Sequence, residues 1–62
     1  RRAQEAAYRF TSAVCGNLPG YEEALRALFN ADRARFEQQT DSWPPDVRDY
    51  TRTLAAEAFP AE

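Results

Sequence analysis

The chain has 62 residues and a formal charge of -2, with ten acids against eight basic residues, all of them arginine. A chain this short buries only about 60% of its unfolded surface, so it holds one small core and is marginally stable alone. The charge balance excludes the basic excess of a general nucleic-acid binder. The absence of histidine and the single Cys15 exclude an internal disulfide and the usual zinc ligand sets, and no apolar run reaches the roughly 18 residues of a bilayer span.

Periodicity predicts an all-α fold, a compact bundle of about four short helices joined by short Gly/Pro/Asn turns. The first helix runs from near the start to about Cys15. Ala3, Ala7, Phe10 and Val14 recur at helical spacing and define its apolar face, flanked by Ala6 and Tyr8. Arg1-Glu5 and Glu5-Arg9 are i,i+4 pairs on the solvent side. Gly16 follows in a position to end the helix in the left-handed conformation.

Pro19 suits the first turn of a second helix, with Glu22 and Glu23 at the positive end of its dipole. Tyr21, Leu25, Leu28 and Phe29 form its expected face, Glu22-Arg26 an exposed pair, and Asn30 a left-handed terminus. A third helix is expected from Ala31 or Asp32. It is the weakest of the four, with only Phe36, Thr40 and Trp43 on one side and Arg33-Glu37 on the other.

Trp43-Pro44-Pro45 breaks the chain, because a residue before proline is driven to extended conformations. Pro45 then opens a fourth helix with Asp46 at its positive end. Val47, Tyr50, Leu54 and Ala58 form its face, widened by Thr51 and Ala55, and Phe59 and Pro60 end it. Four phenylalanines, three tyrosines and one tryptophan stand beside few aliphatic residues. Most of these aromatics are therefore expected in the core, with Trp43 as anchor, and not as a stacking platform for bases.

No residue pattern supplies catalysis. Cys15 falls at a helix C-terminus, where the dipole disfavours a thiolate, and no histidine activates it, so it reads as a small buried apolar residue. The acids read as first-turn and solvated residues: Glu22 and Glu23 point to different sides of a helix, Asp46 and Asp49 could meet, and nothing in a chain this short suggests a pocket of enzyme size. The chain is therefore expected not to be an enzyme, and to bind no cofactor or metal. The candidate contacts are Arg33 and Arg35 at the start of the third helix, and Arg48 and Arg52 on the fourth. They serve either a phosphate or acidic partner, or surface solubility and local ion pairs.

Four blocks carry a resemblance: Arg1-Arg2-Ala3-Gln4-Glu5-Ala6-Ala7-Tyr8-Arg9-Phe10, Leu18-Pro19-Gly20-Tyr21-Glu22-Glu23-Ala24, Asp32-Arg33-Ala34-Arg35-Phe36-Glu37 and Trp43-Pro44-Pro45-Asp46-Val47-Arg48. In this order they resemble the C-terminal part of a family of uncharacterised bacterial proteins, a domain of unknown function, over nearly the whole chain. The resemblance implies a longer protein whose upstream segment is similar to ribbon-helix-helix DNA-binding proteins. It supplies no site residue to carry over. It also implies a bulky aliphatic near Thr40, whose absence is expected to loosen the core there.

The reading that follows is a single helical domain over residues 1–62, expected to be the C-terminal fragment of a longer protein. Its expected role is a helical accessory, oligomerisation or protein-interaction domain in the bacterial cytoplasm. It would self-associate or pack on an N-terminal part, with no membrane contact. The alternative is the C-terminal part of a DNA-binding transcriptional regulator, with nucleic acid reached only through the full-length protein.

Overall fold

A computed structural model describes residues 2–59. Four helices follow one another: α1 (Arg2–Val14), α2 (Tyr21–Phe29), α3 (Arg33–Thr40) and α4 (Pro45–Ala55), the last running into a single 3-10 turn at Ala56–Ala58. The all-α expectation holds. The pairing is nested: α2 folds back on α3, while α1 packs against α4 and the 3-10 turn, and touches α2 more lightly.

Alongside Leu28, Phe36 and Trp43 the core is made of small residues, and several bulky members of the expected stripes lie partly outside it. α1 buries Ala7 and Thr11, with Cys15 directly behind them, whereas Val14 is 55% exposed and Phe10 only half-buried. α2 buries Ala24, Ala27 and Leu28 and leaves Phe29 at the surface; α4 buries Thr51 and Ala55 and leaves Tyr50 outside. Close helix axes, typically 8–10 Å apart, admit only small side chains between them and push large ones to the flanks. Buried threonines fit this role because their hydroxyls fold back on the preceding turn. Thr11 donates to the Ala7 carbonyl at 2.9 Å and Thr40 to the Phe36 carbonyl at 3.0 Å. The expected faces are thus displaced sideways, and Tyr8, Phe29 and Tyr50 lie outside the core that composition assigned to them.

The turns differ from expectation in instructive ways. α1 does not end on a left-handed Gly16; the glycine with positive φ is Gly20, which caps α2 at φ 77°. A Cβ there would lie 2.8 Å from Gln39 Oε1 and 2.9 Å from the Gln39 carbonyl oxygen, so glycine is required both for conformation and for the approach of α3. α2 accordingly starts at Tyr21, two residues beyond Pro19.

At the other end of α2, Asn30 stays at φ -93° and Ala31 takes the left-handed position at φ 56°. The amide of Asp32 donates to the Ala27 carbonyl at 2.8 Å and that of Ala31 to the Leu28 carbonyl at 3.2 Å. This is a Schellman ending with alanine where glycine is usual. Asp32 then serves as the N-cap of α3, its carboxylate accepting from the Arg35 amide at 3.2 Å.

The Trp-Pro-Pro junction behaves as its sequence demands. Pro44 is extended at φ -54°, ψ 137° and Pro45 is the first residue of α4. Trp43 is buried, and its indole N–H donates to the Pro19 carbonyl at 2.7 Å, tying the α3–α4 junction to the α1–α2 connection. Phe36 is buried with it and packs on Phe59 at a ring separation of 5.3 Å. The predicted end of the last element at Pro60 lies outside the described residues.

Candidate functional site

Each candidate arginine is engaged within the chain. Arg33 pairs with Glu37 at 3.5 Å along α3, as the spacing predicted. Arg35 reaches across to Glu23 of α2 at 3.2 Å, and Glu23 also holds Arg26 at 3.6 Å. Arg26 therefore pairs with Glu23 and not with Glu22. Arg48 pairs with its neighbour Asp49 at 2.9 Å. That hydrogen bond raises the Arg48 pKa above its ordinary value and lowers that of Asp49.

Arg52 is the most structural of the four. Its Nη2 donates to the Glu37 carbonyl at 2.9 Å and to Thr40 Oγ1 at 3.1 Å, its Nε donates to the same hydroxyl at 3.2 Å, and Asp41 lies 3.7 Å away. A cation from α4 thus satisfies the C-terminal end of α3, where carbonyls lack helical partners and the dipole is negative. Thr40 is completely buried and supplies the acceptor. The expected aliphatic at this position would remove it, so threonine marks a polar clamp and not a loosened core. Arg33 and Arg35 stand in the first turn of α3 and Arg48 and Arg52 on α4, and each faces an acid.

Cys15 is fully buried, as its sequence context predicted, and burial pushes its thiol pKa up while the Thr51 hydroxyl pulls weakly the other way. A raised pKa is the opposite of what a nucleophile needs. A cavity of about 390 Å³ opens beside the start of α2, lined by Gly16, Leu18, Gly20, Tyr21, Glu22 and Glu23. Its ionisable groups are two carboxylates and a phenol, with Glu23 already bound to two arginines. Among the described residues no group of histidine, cysteine or acid side chains is placed to hold a metal ion. None of the described helices is long and apolar enough to cross a membrane.

The surface feature that composition hid is the outward edge of α1. Tyr8 is 44% exposed and Phe29 50% exposed, and their rings meet at a tilt of 58° with centroids 6.0 Å apart across the α1–α2 seam. On the opposite flank Phe10 meets Tyr50 edge-on at 4.8 Å, with Tyr50 52% exposed. Between these flanks the solvent face of α1 carries Glu5 and Arg9. They are i,i+4, yet no ion pair joins them and neither has an ion-pair partner among the described residues; the expected Arg1–Glu5 pair lies outside the described residues. The available signal was the placement of Tyr8 beside the alanine-rich stripe and not within it.

No curated protein and no solved structure matches the chain. Residues 1–55 match the family described as "Uncharacterized protein conserved in bacteria (DUF2239)", and the chain belongs to that family.

Proposed function

We propose that the chain is a helical accessory module that docks on protein through the outward edge of α1, and that it is not an enzyme. The observation that carries this reading is the half-exposed Tyr8–Phe29 pair. Aromatic side chains are enriched at protein interfaces because they offer large contact area at low cost in conformational entropy. A core this small gains little from leaving two paired rings half in water, and a partner that covers them adds apolar burial. The alternative role within a DNA-binding regulator has less support. Its candidate contacts Arg33, Arg35, Arg48 and Arg52 are each held by an acid, and phosphate binding would have to break those pairs.

The test is site-specific photo-crosslinking in the bacterial cell, with the reactive side chain placed at Tyr8 and, as a control, at the exposed Thr53 of α4. Adducts to protein at Tyr8 and none at Thr53 support the reading. An absence of adducts at Tyr8, with the protein folded, overturns it.

A further inference from the structure

We draw no further inference here: the strongest candidate, the exposed aromatic edge of α1 with Tyr8 and Phe29, belongs to the docking surface already proposed, and nothing in the structure shows what covers it.

Discussion

The Arg52 guanidinium grips the Thr40 hydroxyl through two nitrogens, at 3.1 and 3.2 Å, joining the middle of α4 to the last turn of α3. Thr40 is completely buried, while the Arg52 side chain is 29% exposed. Thr40→Val keeps the volume and deletes the acceptor. Hydrogen bonds to charged groups contribute about 1.5–3 kcal/mol, and solvent access to Arg52 discounts this, so a loss of about 1 kcal/mol is expected in urea unfolding. Arg52→Ala in the same background should cost less than in the parent, because the two groups act on each other. Additive losses would show that the clamp is not energetically coupled.

The same substitution at Thr51 should have the opposite sign. Thr51 Oγ1 is buried without a conventional hydrogen-bond partner, and the Cys15 thiol beside it is a weak one. An unsatisfied buried hydroxyl costs about 1–3 kcal/mol. Thr51→Val is therefore expected to raise stability by about 1 kcal/mol, visible as a higher Tm. A destabilised Thr51→Val would mean that the hydroxyl has a partner in solution.

Two backbone sites invite exchange in opposite directions. Ala31 holds φ 56° at the end of α2, where a non-glycine residue pays about 1–2 kcal/mol. Ala31→Gly should stabilise by up to about 1 kcal/mol after the added freedom of the unfolded chain is subtracted. Gly20→Ala meets both a positive φ and two oxygens of Gln39 within 3 Å, and a loss of about 2 kcal/mol or more is expected. Gly16→Ala is the control, since nothing lies within 4 Å of its added Cβ. Equal responses at Gly16 and Gly20 would contradict the assigned turn geometry.

The Cys15 thiol makes stability fall in alkali. Burial raises its folded pKa above the ordinary 9.0, so above that value the unfolded chain releases a proton that the folded chain retains. Stability is then complete below pH 9 and declines as pH rises toward the folded pKa. Urea midpoints measured from pH 7 to 10 should fall more steeply in the parent than in Cys15→Ala. Parallel pH profiles would show that the buried Cys15 thiol does not carry the alkaline loss.

The helices were legible because their punctuation is local. Pro45 at a first helical position, Asp32 ahead of α3 and the Trp-Pro-Pro break act through dihedral limits and caps within a few residues. Arg33-Glu37 was legible for the same reason. The pairings that were not legible depend on distance in space: Arg52 found Thr40 and Asp41, and Arg35 found Glu23. Left-handed geometry fell on Ala31 because the packing of α2 on α3 dictated where the chain turns, overriding the intrinsic preference of Asn30.

By itself, the sequence determined an all-α chain, its four helices and their breaks, a buried Cys15 and an anchoring Trp43. Only the tertiary structure decided how far the expected faces of α1, α2 and α4 turn inward; that of α3, with Phe36, Thr40 and Trp43, is buried as its spacing placed it. Hydrophobicity ranks side chains by apolar area and so favoured Phe10, Val14, Phe29 and Tyr50. Ala7, Cys15, Leu28, Phe36, Trp43, Thr51 and Ala55 are buried as expected, whereas the close approach of helix backbones adds the small residues Thr11, Ala24 and Ala27. The rings displaced by that choice form the exposed edge of α1, which is where the function is proposed to lie.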